Sequence, residues 1–153
     1  MSREKMHELL DISAGIKYSY ETGPLLEHAD LVFDVGINCQ LLAHVVLEEL
    51  GYGLPKDLRS KELYEDTVWT KQISPESEGW RPGDLLFSYA YPEGFDPKQL
   101  HISVCIAVEA GVPHFLHALK FTDSSKDAIT VWKLDDFAQS NTHRHLISAK
   151  RVR

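Results

Sequence analysis

Residues 33–55, FDVGINCQLLAHVVLEELGYGLP, decide how this chain is read. Leu41, Leu42, Val45, Val46 and Leu50 recur at three- and four-residue spacing, which puts apolar side chains on one face of a helix. Asn38 suits the N-cap, because its side-chain oxygen can accept from the free backbone N–H groups of the first turn. Gly51 supplies the stop. Glu48 and Glu49 oppose the helix dipole at that end, which therefore depends on the glycine and on packing. The spacing predicts a helix over 38–50 with Cys39 in its first turn. Unpaired N–H groups and the positive end of the dipole favour a thiolate there, so Cys39 is a candidate nucleophile. The competing reading is a core cysteine, since free cysteines are among the most buried residue types.

Upstream, residues 2–14 have the pattern of an amphipathic helix, with Met6, Leu9, Leu10 and Ser13 along one side and Gly15 as the stop. Residues 16–30, which include Tyr18, Tyr20, Gly23 and Pro24, have no strong period. Downstream, Leu54-Pro55 opens a polar connection, residues 60–66 can form a short helix, and SPESEGWRPG at 74–83 is loop by composition. From Asp84 the pattern changes to strands. Leu85-Leu86-Phe87 is a short apolar run, and 91–99 is a turn-rich loop. Residues 101–108 then alternate, with His101, Ser103, Cys105 and Ala107 on one face and Ile102, Val104, Ile106 and Val108 on the other. Residues 109–111 turn the chain into a strand over 112–119. Later strands are expected at 129–132 and 145–152, with a helical turn at 134–139 between them. Helices first and antiparallel strands after is the α+β pattern, and nothing in 1–153 divides it into more than one domain.

A hydrophobic share of 43% and a charged share of 25% in 153 residues suit a soluble globular domain that buries a core without disulfides. The formal charge of −7 argues against nucleic acid or an anionic membrane as partner. Two cysteines, Cys39 and Cys105, do not make a disulfide scaffold. The charged start MSREKMHELLDIS has no apolar signal region, and no apolar run approaches a membrane span. A cytoplasmic protein is therefore expected, and export would need an unconventional route.

A thiolate nucleophile needs a base within reach and a third group to orient that base. His101 opens the alternating strand and is the best base candidate. His117 lies on the next strand, where a hairpin can bring it beside His101; His114 is its rival. Each histidine also has a bland reading as a satisfied structural residue. Metal chemistry competes weakly, through His114 with His117 and His143 with His145. No Cys-x-x-Cys or His-Glu-x-x-His motif is present, and on a strand His114 and His117 point to opposite faces. No glycine-rich phosphate loop leads from a strand into a helix. Trp69, Trp80 and Trp132 read as core or rim aromatics.

Four segments in order resemble the NlpC-type, papain-like cysteine peptidases that cut bacterial cell-wall peptides. Asn38-Cys39-Gln40-Leu41-Leu42, continuing to Leu50-Gly51 and Leu54-Pro55, resembles the nucleophile helix of that family. Arg81-Pro82-Gly83-Asp84-Leu85 resembles its Pro-Gly-Asp-Leu segment. His101-Ile102-Ser103-Val104 is similar to the strand that carries the base, and Phe115-Leu116-His117-Ala118 to the strand that carries the orienting residue. Residues 15–20 echo an upstream segment whose tyrosine, here Tyr18, lines the substrate site.

The resemblance implies a papain-like fold with N-terminal helices packed on an antiparallel sheet. It also implies a Cys39–His101–His117 set that needs no cofactor or metal, and substrate contacts from Tyr18, Asn38 and Gln40. The implied reaction is hydrolysis of an amide in peptidoglycan stem peptides, often between D-glutamate and a diamino acid. A related thiol hydrolase or acyltransferase acting on a small amide, ester or lipid stays open, as does a non-catalytic binding module of the same fold. Asn38 and Gln40 stand where the family usually has Asp and Ser, so the carboxylate that would pair with a substrate amine is missing. Leu41 replaces a glycine.

Overall fold

The computed structural model describes residues 39–118 and 129–153. The helix expected over 2–14, the tract 16–30, Tyr18 and Asn38 lie outside the described residues. The elements run α1 (Cys39–Glu49), α2 (Ser60–Glu65), β1 (Thr70–Gln72), α3 (Pro75–Glu78), β2 (Leu85–Tyr89), a 3₁₀ turn (Pro97–Gln99), β3 (His101–Glu109), β4 (Val112–Ala118), β5 (Ile129–Trp132), α4 (Leu134–Ala138) and β6 (His145–Val152). The six strands form one sheet in the order β1-β6-β2-β3-β4-β5, with every neighbouring pair antiparallel. β2 to β5 are a meander, and the chain returns to add β6 outside β2. The domain is thus mixed helix and sheet, as the order of patterns implied.

The buried stripe of α1 starts at the cysteine. Cys39, Leu42, Ala43, Val46 and Leu47 are all buried, the series i, i+3, i+4, i+7, i+8 of a helix seated on a core. The stripe is therefore turned one step from the expected face: Val45 and Leu50 pack only at its margin. At the far end Tyr52 N–H donates to Leu47 O at 2.8 Å and Gly51 N–H to Glu48 O at 3.0 Å, with Gly51 at φ 91°. This is the glycine-terminated cap that satisfies the last carbonyls.

Both faces of the sheet are covered. On one face, Leu42, Ala43, Val46 and Leu47 of α1 pack with Leu85, Phe87, Ile102, Val104 and Ile106. On the other, Leu86, Cys105, Phe115 and Phe137 pack with Trp80, Trp132 and Leu134. Residues 101–107 of β3 are consequently buried without a break, and the strand's alternation separates two cores instead of a core from solvent. Of the three tryptophans, Trp69 is largely exposed.

Gly83 is where the Pro-Gly-Asp segment meets α1. Its φ is 96°, and a Cβ there would come within 2.6 Å of the Tyr52 ring. Asp84 is buried. Its carboxylate accepts from Arg81 N–H at 2.7 Å and from two guanidinium nitrogens of Arg151 at 2.8 and 2.9 Å. The motif thus fastens β2 to β6 and is explained by folding alone. Lys150 does similar work: its buried ammonium donates to Leu63 O at 2.8 Å, to Tyr64 O at 3.0 Å and to Asp66 O, closing the end of α2.

Two elements had no readable pattern. β1 is a three-residue edge strand that exists through its pairing with β6. α3 lies inside the expected loop 74–83, with Pro75 at its first turn and the Glu78 carboxylate accepting from Ser74 N–H at 2.8 Å. Among the described residues, no helix is long and apolar enough to cross a membrane.

Candidate active site

Cys39 opens α1 directly against β3. The backbone N–H groups of Ile102, of Cys39 itself and of Gln40, together with the Ser60 hydroxyl, are placed to hydrogen-bond its sulfur. Each favours a thiolate, as the helix position predicted. Burial opposes them and is larger, so the thiol titrates above its ordinary value. The thiolate expected at this position is corrected here: only 6% of Cys39 is exposed, and removing the sulfur from water outweighs the first-turn N–H groups.

Cys105, in the second core, donates to Ala107 O at 3.6 Å, and burial pushes its thiol up to about 12. Both cysteines are free.

His101 and His117 are joined directly. His101 Nε2 and His117 Nδ1 are 2.8 Å apart. Both rings lie on the sheet face away from α1, where His117 meets Trp132 edge-on at 4.4 Å and Phe137 at 5.3 Å. His114, the rival, bonds its Nδ1 to Val112 O at 3.1 Å on its own strand. Its cross-strand neighbour is Ala107, beyond the bulge that follows Cys105. The geometry brings His101 to His117, and it brings the Cys39 thiol to the peptide N–H that follows His101.

A third imidazole joins them. His143, from the loop before β6, stacks on His101 with ring centres 4.0 Å apart and planes at 22°. Burial, reinforced by His143 and His117, holds His101 well below the ordinary imidazole range. Burial lowers His117 to about 3 and His143 to about 4. At neutral pH all three rings are uncharged. The sequence offered His143 only as half of a weak metal pair, because no local spacing reports a stack between residues 42 positions apart. Among the described residues, no three His, Cys, Asp or Glu side chains are grouped to hold a metal.

Gln40 turns its amide to Ser60, with Nε2 donating to Oγ at 2.9 Å. Ser60 is buried and is also the side-chain partner of the thiol. No sequence pattern singled it out. A second unforeseen contact is His44 Nε2 with Leu58 O at 2.7 Å, which ties the 54–59 connection to α1 and so places Ser60 beside Cys39.

His101 engages His117 through Nε2, so any further bond of that ring falls to Nδ1. No family model matches the chain, and no curated protein or solved structure matches it.

Proposed function

We propose that the chain is a cysteine hydrolase of papain-like architecture that cleaves an amide, with peptidoglycan stem peptides as the first substrate class to test. The observation that carries the reading is the 2.8 Å His101–His117 bond on strands adjoining the helix that starts at Cys39. Acyl transfer uses a base whose far nitrogen is held by a second residue; here that pair stands on β3 and β4, and the thiol at the start of α1 meets β3 at the Ile102 N–H, one residue from the base.

In this reading His101 Nδ1 takes the thiol proton as Cys39 sulfur bonds to the carbonyl carbon. The oxyanion is met by backbone N–H groups at the start of α1. Collapse breaks the carbon–nitrogen bond, and the proton on His101 leaves with the amine. Water then attacks the thioester, giving the acid and restoring the thiol. His117 accepts from His101 Nε2–H, so it selects the tautomer that keeps Nδ1 unprotonated. The reading requires the buried thiol to become reachable both by the substrate carbonyl and by His101 Nδ1 when substrate binds.

The depth of Cys39 and its raised pKa favour one second reading, a binding module with an inert cysteine. Incubation with defined stem peptides and mass spectrometry of the products separates the two. Cleavage lost in Cys39→Ala supports the hydrolase. Intact peptides that nonetheless bind support the module.

A further inference from the structure

Beside Cys39 lies a cleft of about 430 Å³ lined by Gln40, Arg59, Ser60, Lys61, Glu62 and Lys98. The chain as a whole carries −7, yet three of the four charged residues here are cationic. Among the described residues, ion pairs join Lys56 to Glu48 and Arg151 to Asp84, away from this cleft. The nearby Asp96 carboxylate is engaged by the Lys98 backbone N–H at 3.0 Å. The cleft reaches the nucleophile through Ser60, whose hydroxyl serves both the Gln40 amide and the Cys39 thiol. A concave surface with a local charge opposed to that of the whole molecule concentrates ligands of the opposite sign.

We propose that this cleft binds an anionic group, a carboxylate or a phosphate, on the compound whose carbonyl Cys39 attacks. The inference rests on the nucleophile reading above and adds the polarity of the substrate. A substrate ammonium in the cleft would meet three cations and one carboxylate, so selection for a free amine is reversed. Gln40, neutral and hydrogen-bonded to Ser60, adds no charge to oppose an anion.

Alkylation of Cys39 tests this without any assumed substrate. Rates with iodoacetate and with iodoacetamide are measured in the folded full chain and divided by the same rates for N-acetylcysteine amide. The ratio cancels any change in thiol pKa and isolates the response to reagent charge. The expected normalised ratio is about fivefold in favour of iodoacetate, as two net positive charges at cleft distances in water would give. It should fall to about one-half in Arg59→Gln/Lys61→Gln/Lys98→Gln, where Glu62 remains in the lining, and to about one in high salt, with the iodoacetamide rate little changed.

Inorganic phosphate and glutarate are then added as competitors. Protection by one identifies its class, and protection by both supports a general anion site. A wild-type normalised ratio at or below one, or one that the triple substitution leaves unchanged, overturns the proposal. So does failure of both competitors to protect at millimolar concentration, which would mean steering without a site. If neither reagent labels Cys39, the nucleophile reading fails by itself. Calorimetric titration with phosphate and glutarate then decides the cleft: binding lost in the triple variant retains the anion site, and no binding removes it.

Discussion

His101 Nε2 and His117 Nδ1 share one hydrogen bond of 2.8 Å between adjacent strands, in an aromatic setting closed by Trp132 and Phe137. Burial keeps both rings neutral, so a single proton lies between them and its direction sets the tautomer of both. Only donation from His101 to His117 leaves His101 Nδ1 with a lone pair.

That direction predicts an asymmetric pair of variants. If the chain is the proposed hydrolase, His101→Ala removes the proposed base and should lower kcat/KM by about 10³-fold, within the usual range for losing a general base. His117→Phe keeps a ring against Trp132 and Phe137 but cannot accept. It should lower kcat by about 10–100-fold with KM within about twofold, and His117→Asn should recover part of the loss. Steady-state kinetics on the peptide found by mass spectrometry checks this. An unchanged kcat in His117→Phe would leave His117 a packing residue.

The raised pKa of Cys39 predicts the pH dependence of its labelling. Iodoacetamide reacts with the thiolate, and burial holds the thiol above its ordinary value. The rate should climb about tenfold per pH unit from 7 to 9, without the acid-side plateau that a standing thiolate–imidazolium pair would give. Cys105, at about 12 and fully buried, should stay unlabelled until the protein unfolds. Peptide mapping of timed samples distinguishes the sites.

The stacked histidines predict acid sensitivity with a definite sign. Their folded pKa values lie below the unfolded value near 6.5, with His143 at about 4. The unfolded chain therefore binds protons first as pH falls. The stability they contribute is complete above about pH 6.5 and is lost as pH drops toward about 4. For His143 alone the loss is on the order of 1–3 kcal/mol by this linkage. His143→Phe, which preserves stacking without a titrating group, should flatten the fall in urea midpoint over that interval. Identical pH profiles for wild type and variant would contradict the assignment.

Gly83 offers a test of the fold that is independent of chemistry. Gly83→Ala meets both an unfavourable φ of 96° and the Tyr52 ring at 2.6 Å. Together these should cost about 2–4 kcal/mol. Adding Tyr52→Ala should relieve the collision but not the backbone strain, so the double variant should fall short of the sum of the single losses. Denaturant midpoints of the two single variants and the double variant measure that coupling.

Lys150→Met should be destabilising by about 2–4 kcal/mol, because three carbonyls at the end of α2 lose a buried donor while the apolar stem is retained. Thermal unfolding checks the direction, and local hydrogen exchange across residues 60–66 checks the place. Loss confined to another part of the sheet would refute the contact's role.

Local pattern by itself determined the main frame of this protein. The apolar period after Cys39 and the Gly51 stop specify α1, because helical periodicity and a glycine cap act within a few residues. The alternation at 101–108 specifies β3, and the residue types at 129–132 and 145–152 specify β5 and β6 at their observed limits. His101 and His117 were readable as partners because a hairpin returns its second strand alongside the first, which brings the end of β4 back to the start of β3. Only the tertiary structure decided the rest, where the deciding neighbour lies far along the chain. β1 has no pattern of its own and depends on β6 for its ladder. His143 reaches His101 by way of β5 and α4, and Ser60 reaches Cys39 through a connection held by His44. The protonation of Cys39 is the clearest case. Its helix position argued for a thiolate, but the packing of β3 over the sulfur withdraws water, and desolvation outweighs the local N–H groups.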